Sequence, residues 1–148
     1  EGAMASVKEL LARKSVDLLV VSPETSVLKA AELMNERGTG SVLVNENDCL
    51  AGIFTERDLM RRVVAVQRDP AATPLRDVMT TALVTCTPDA TLDDCGALMS
   101  ERRIRHLPVV DNKRVVGVVT TGDLLANELR DKESKIQQLE SFVFYVRQ

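Results

Sequence analysis

Gly52-Ile53-Phe54-Thr55-Glu56-Arg57-Asp58 and Gly117-Val118-Val119-Thr120-Thr121-Gly122-Asp123 say the same thing twice, 65 residues apart. Each reads as the end of an apolar strand entering a helix whose first turn carries a hydroxyl and, three residues on, a carboxylate. At that offset, without a gap, residues 23–60 align with 88–125 and 11 of 38 positions are identical, where unrelated stretches would agree at about two. The chain is therefore an internal repeat. Among the shared positions Leu33/Leu98, Met34/Met99 and Val44/Val109 suit a core, whereas Gly52/Gly117, Thr55/Thr120 and Asp58/Asp123 are not what a core needs.

The composition narrows the function classes. A chain of 148 residues is long enough for one compact unit, which buries roughly 70% of the surface its unfolded chain exposes. With 45% apolar and 28% charged residues and a formal net charge of -3, it has no basic surplus for nucleic acid. Aromatics make up 3% and Trp is absent, so no stacking platform for single strands is expected either. Cys49, Cys86 and Cys95 lack a C-x-x-C spacing, which fits a reducing, cytoplasmic compartment, and with one His the chain offers no metal-ligand set. No apolar run approaches the roughly 20 residues of a bilayer span, and no secretory leader is legible. Glu1-Gly2-Ala3-Met4-Ala5 reads as an expression scar and is set aside.

Outward from the repeated turn, the periodicities predict a short helical lead over 7–13 capped by Ser6, then a buried strand over 18–21. Ser26 caps a helix that runs to Arg37, with Val27, Ala30, Ala31 and Met34 on one face and Gly38 as its stop. Strands over 41–44 and 50–54 flank Asn45-Glu46-Asn47-Asp48 and should pair as a hairpin. Thr55 opens a helix continuing to about Arg68 that carries Leu59, Met60, Val63 and Val64 inward. The unit is β-α-β-β-α, over 7–68. Two prolines in residues 69–74 mark a linker. The second unit, 75–127, has a helical turn over 75–79, a strand over 83–86, a helix over 91–102, strands over 106–110 and 115–119, and a helix from Thr121. One unit cannot cover both faces of its sheet, so the two should pack about a pseudo-two-fold axis in an α+β fold. The last helix extends over 128–148, where Leu129, Lys132, Ile136, Leu139, Val143 and Val146 fall at a and d heptad positions and Phe142, Val143, Phe144 and Tyr145 call for cover.

Thr-x-x-Asp at a helix start has two readings. As a capping box in its Asp variant it contributes about 1 kcal/mol and needs no ligand. Against that, a glycine inside the preceding strand marks the close approach of a ligand or of another backbone. A helix start also favours anions, and a carboxylate one turn away can accept from a vicinal diol as an acidic residue reads a ribose. Phosphate and diol recognition one turn apart describe a nucleotide.

The doubled Gly-x-x-Thr-x-x-Asp, the β-α-β-β-α repeat, Leu107-Pro108-Val109-Val110-Asp111 and the lead-in Asp77-Val78-Met79-Thr80 together resemble tandem cystathionine β-synthase (CBS) domains, the Bateman module, over about residues 7–127. The first repeat departs from the pattern, with Lys14-Ser15-Val16-Asp17 at the lead-in and Leu43 in place of Pro108. The resemblance implies a stand-alone regulatory module that binds AMP, ADP, ATP or S-adenosylmethionine in two clefts between the repeats, forms a homodimeric disc, and modulates a partner protein of unknown identity. Carried over by position, cleft one takes Thr55, Arg57 and Asp58, faced by Val84, Thr85, Cys86, Ile104, Arg105, His106 and Pro108. Cleft two takes Thr120 and Asp123, faced by Leu19, Val20, Val21, Thr39, Gly40 and Ser41. The basic run Arg102-Arg103-Ile104-Arg105-His106 with Arg57 opposite leads to the expectation that phosphate-bearing ligands favour cleft one. His106 reads as a polar cleft wall, since no nucleophile or orienting acid lies near it in sequence. No triad, metal cluster or phosphate loop is legible, so catalysis is not expected. The alternative function is a dimerisation scaffold that binds nothing.

Overall fold

The computed structural model describes residues 5–14 and 18–132. The first helix, α1 (Val7–Arg13), starts on a reciprocal cap in which the Ser6 hydroxyl accepts from Glu9 N and the Glu9 carboxylate from Ser6 N, both at 3.1 Å. The first repeat continues through β1 (Val20–Val21), α2 (Val27–Arg37), β2 (Ser41–Glu46), β3 (Cys49–Thr55) and α3 (Glu56–Asp58), which runs into a π-helical stretch, Leu59–Val64. The second has a 3-10 turn (Leu75–Asp77), α4 (Leu92–Arg102), β4 (His106–Asp111), β5 (Arg114–Thr120) and α5 (Thr121–Asp131). Ser26 and Thr91 cap α2 and α4. Both helices stop at a residue in the left-handed region, Gly38 at φ 65° and its repeat mate Arg103 at φ 56°. The expected helical extension over 133–148 lies outside the described residues.

The expected hairpins form, but with longer strands and tighter turns than the sequence suggests. Asn45 and Glu46 stay in β2, and Asn47-Asp48 alone make the turn, as Asn112-Lys113 do in the second copy. All four turn residues have positive φ, the requirement of a two-residue loop that matches strand twist. Each hairpin carries a register shift at the same place, after Val44 and after Val109.

Two expectations fail for identifiable reasons. The strand expected over 83–86 is reduced to one parallel bridge, Cys86 to Val109, whereas β1 pairs in parallel with β2 in the first repeat. There Leu43 N donates to Leu19 O at 2.9 Å. The repeat mate of Leu43 is Pro108, which has no amide hydrogen to give. The helix after Thr55 is also not a regular helix to Arg68. Ala65 N bonds Met60 O and Arg68 N bonds Val63 O, both i→i−5 at 2.9 Å. Val63 is buried and Leu59 packs on the core, while Met60 and Val64 are 55% and 63% exposed and face outward.

Burial exchanges the lead-ins. The first core comprises Val27, Ala30, Met34, Val42, Val44, Phe54 and Val63 together with Leu75, Val78 and Met79 from the segment that opens the second repeat. The second comprises Leu92, Cys95, Met99, Leu107, Val109 and Val119 together with Val7 and Leu10 from α1. Backbone bonds fix the exchange: Lys8 N to Pro88 O at 3.0 Å, and Arg76 N to Pro23 O at 2.9 Å. With each such buried Leu or Val worth about 1.5–3 kcal/mol, the repeats cannot part without exposing both cores. The exchange also corrects the lead-in alignment. By these contacts Glu9-Leu10-Leu11-Ala12, inside α1, is the counterpart of Asp77-Val78-Met79-Thr80, three residues further apart than the sheets are.

Candidate functional site

The glycines of the repeated turn are accounted for by protein neighbours. A Cβ at Gly52 would lie 2.8 Å from Met79 Sδ and 2.9 Å from Thr80 O, because Ile53 and Thr80 form an antiparallel bridge. A Cβ at Gly117 would lie 2.6 Å from Leu11 Cδ2. Of the two meanings of a strand glycine, close approach of another part of the chain is the one realised.

Both Thr-x-x-Asp pairs form capping boxes. Thr55 Oγ1 accepts from Asp58 N at 3.3 Å while Asp58 Oδ2 accepts from Thr55 N at 3.0 Å. Thr120 and Asp123 repeat this at 3.0 and 2.9 Å. Beyond the caps the two carboxylates differ. Asp58 is 6% exposed, and its Oδ1 accepts from Thr80 Oγ1 at 3.0 Å, with Arg62 Nε 3.9 Å away. Asp123 Oδ2 pairs instead with Lys14 Nζ at 2.6 Å, and that ammonium also donates to Val118 O at 2.8 Å.

Beside each cap lies a cavity between the repeats. Cleft one, about 380 Å³, is lined by Ile53, Thr55, Glu56, Arg57, Asp58, Met60 and Thr80 on one side and Ile104, Arg105 and His106 on the other. Arg57 crosses between repeats to donate to Arg103 O at 3.0 Å. Cleft two, about 190 Å³, is lined by Lys14, Leu18, Leu19, Arg37, Thr39, Ser41 and Leu43 and by His106, Val118 and Thr120. Backbone bonds from Glu56 N to Gly40 O and from Thr121 N to Arg105 O hold each helix start against its own repeat's strand entry.

Six of the residues expected in cleft one line it: Thr55, Arg57, Asp58, Ile104, Arg105 and His106. Val84, Thr85, Cys86 and Pro108 do not. Val84 and Cys86 pack on the second core, Thr85 is exposed and Pro108 is buried in the hairpin. In cleft two Leu19, Thr39, Ser41 and Thr120 line the cavity, while Val20 is 37% exposed, Val21 packs on the first core and Asp123 is turned to its cap and Lys14. Gly40 sits where a Cβ would be 2.9 Å from Glu56 Oε1 and 3.3 Å from His106 Nε2. Glu56, Thr80 and Arg37 were legible as neighbours or mates of motif residues: beside Thr55, ending the lead-in, and paired with Arg102. Lys14 carried no local signal, since its place follows from the exchange of α1.

The charge contrast expected between the clefts is not found. Arg57 and Arg105 in cleft one are matched by Glu56 and Asp58, whereas cleft two carries Lys14 and Arg37 with no carboxylate among its lining residues. His106 lines both cavities, and burial pushes its imidazole below its ordinary range, Glu56 and Asp123 opposing that shift and Arg105 adding to it. The neighbouring Cys95 thiol and partial burial hold the Cys86 thiol well above its ordinary range. Among the described residues no group of three metal-ligating side chains occurs, and no helix is long and apolar enough to cross a membrane.

The CBS domain family matches the chain twice, over residues 7–65 and 75–130. The chain belongs to the CBS domain family. A CBS domain-containing protein of Bacillus subtilis, YhcV, is 37% identical over 131 residues, covering 88% of this chain and 91% of that one. The CBS domain structure of NE2398 superposes with a TM-score of 0.82 at 34% identity, covering 86% of this chain and 99% of that one. The CBS domain pair of protein MJ0100, in complex with 5′-methylthioadenosine and S-adenosylmethionine, superposes with a TM-score of 0.75 at 25% identity, covering 88% of this chain and 99% of that one.

Proposed function

We propose that this CBS pair is a regulatory module that binds adenosine compounds, AMP, ADP, ATP or S-adenosylmethionine, in its two inter-repeat clefts and passes the occupancy to a partner protein. The observation that carries the reading is the facing arrangement itself: each copy of the turn presents its threonine to a cavity whose far wall belongs to the other repeat. The adenosine ligands of MJ0100 support that ligand class. A ribose diol offers a motif carboxylate two donors, enough to replace a cap bond worth about 1 kcal/mol. A ligand gripped by both repeats favours one relative arrangement of them, which is how differential affinity becomes a signal. The groups lining the clefts suit binding, and a regulatory role is the reading they support.

A second copy of the chain is the natural cover for the outward apolar pairs Met60 and Val64 and their repeat mates Leu125 and Leu129, which are 50–63% exposed. The competing scaffold reading draws on the same pairs and on the two satisfied caps. Thermal unfolding decides between them. An adenosine compound at 100 times its dissociation constant adds about 2.7 kcal/mol, a rise of roughly 10 °C. No rise with any adenosine compound leaves the scaffold, and a monomer mass by light scattering in the same samples removes the pairing.

A further inference from the structure

Taking the clefts as adenosine sites, we infer that the Thr80 hydroxyl is an internal competitor in cleft one: it holds the place on Asp58 that a ribose diol takes, and turns aside when a ribose binds. The Asp58 carboxylate is almost fully committed within the chain. Its Oδ2 accepts from Thr55 N at 3.0 Å and from Thr55 Oγ1 at 3.3 Å, and its Oδ1 accepts from Thr80 Oγ1 at 3.0 Å. Three of the about four acceptor positions of a carboxylate are thereby filled, and only 6% of the residue is exposed. A vicinal diol brings two donors, so one of these bonds has to open before the carboxylate can grip it.

The bond that can open is the one from Thr80. Thr55 supplies the cap of the helix start from its own amide and hydroxyl, and releasing it undoes the reciprocal cap. Arg62 Nε lies 3.9 Å from Oδ1, but its guanidinium is tied to Val78 O and Met79 O at 3.2 and 3.0 Å and does not line the cleft. Thr80 does line it, beside Thr55 and Asp58. Its backbone is held by reciprocal bonds with Ile53 at 2.8 and 3.0 Å, so a change of χ1 rotamer turns the hydroxyl away without moving the chain. Diol and hydroxyl then replace one another on a buried acceptor that is never left without a donor, whereas a ligand lacking the diol has nothing with which to displace Thr80. The second repeat has no such contact, because the counterpart of Thr80 is Ala12. The competition is confined to cleft one.

The test is calorimetric titration of the full chain with adenosine and with 2′,3′-dideoxyadenosine, which lacks both ribose hydroxyls, for the natural sequence, Thr80→Ala and Thr80→Ser. Thr80 is half-buried and belongs to neither core, so both variants keep the packing of the repeats. Deleting the competitor predicts that the affinity for adenosine rises about fivefold in Thr80→Ala, the equivalent of one neutral hydrogen bond, while that for dideoxyadenosine stays within about twofold. Thr80→Ser keeps a hydroxyl at the same place and stays within about twofold of the natural sequence for both compounds. A residue that merely supports the wall would lower the affinity when truncated. An affinity for adenosine that falls or stays level in Thr80→Ala, a gain shared equally by dideoxyadenosine, or a Thr80→Ser that follows Thr80→Ala overturns the assignment. No heat from adenosine with either the natural sequence or Thr80→Ala is a different failure, that of the clefts as adenosine sites, and takes this inference with it.

Discussion

The two copies of the turn share Gly, Thr and Asp at one spacing and close them differently. In the first, the carboxylate is buried and ends on a threonine hydroxyl, Thr80, carried by backbone that forms a bridge with the strand. In the second, the carboxylate is more open, with 21% of its side chain exposed, and ends on an ammonium, Lys14, at the end of a helix. The same local motif therefore ends on a hydroxyl in one copy and on an ammonium in the other. What differs is the segment that reaches each turn from elsewhere in the chain. A duplicated motif need not give two duplicate sites.

The glycines test the contrast most severely. At Gly52 the obstacle to a Cβ includes the Thr80 carbonyl, which is backbone and bonded in place, whereas at Gly117 it is the end of the Leu11 side chain. Gly52→Ala is expected to lose about 3 kcal/mol and Gly117→Ala about 1 kcal/mol, read from urea midpoints at constant slope. Equal losses would mean that the first lead-in is held as rigidly as the second.

The motif carboxylates come next. Asp58→Ala removes an acceptor from a buried cap and strands the Thr80 hydroxyl, an expected loss of about 2 kcal/mol. Asp123→Ala gives up a similar cap but a Lys14 pair that is partly exposed, and is expected to cost about 1 kcal/mol. Both losses are read from urea midpoints at constant slope. Equal losses would mean that the Thr80 hydroxyl adds nothing to the hold on the first carboxylate.

The smallest effect is at the wall the clefts share. His106 titrates below its ordinary value of 6.5 because burial penalises the charged ring. The unfolded chain therefore binds more protons than the folded one in the window beneath 6.5. The contribution of a neutral His106 is complete above that value and is lost as the pH falls through the lowered folded value. Glu56, Asp123 and Arg105 are the charges acting on the ring. Melting temperatures recorded from pH 7.5 down to 5.5 should drop more for the natural sequence than for His106→Gln, and parallel curves would show that the ring gains no proton on unfolding.

Much of this molecule could be read locally. The spacing of Val27, Ala30 and Met34 gave a helix and its buried face, Ser26 and Gly38 its ends, and Asn45-Glu46-Asn47-Asp48 a loop, of which Asn47-Asp48 alone make the turn. Thr55 and Asp58 lie on the wall of a cavity, at a strand-to-helix turn that is itself local structure. The π-helical stretch escaped the reading, since an i→i−5 ladder leaves no mark on apolar periodicity. So did the loss of the second repeat's first strand, although Pro108 carried its cause in plain view: the missing amide matters only once the partner strand is known.

By itself the sequence determined the duplication, the β-α-β-β-α unit, the hydrophobic faces and the family, because each rests on contacts between residues a few positions apart or on the match of one copy to the other. Tertiary structure alone decided which core each lead-in enters, and with it whether Thr80 or Lys14 meets the motif aspartate. Periodicity says that α1 has an apolar face but is silent on which of two similar cores will cover it. Since the exchange carries one ammonium to Asp123 and none to Asp58, the charge of each cleft is a property of the packed pair and of neither repeat alone.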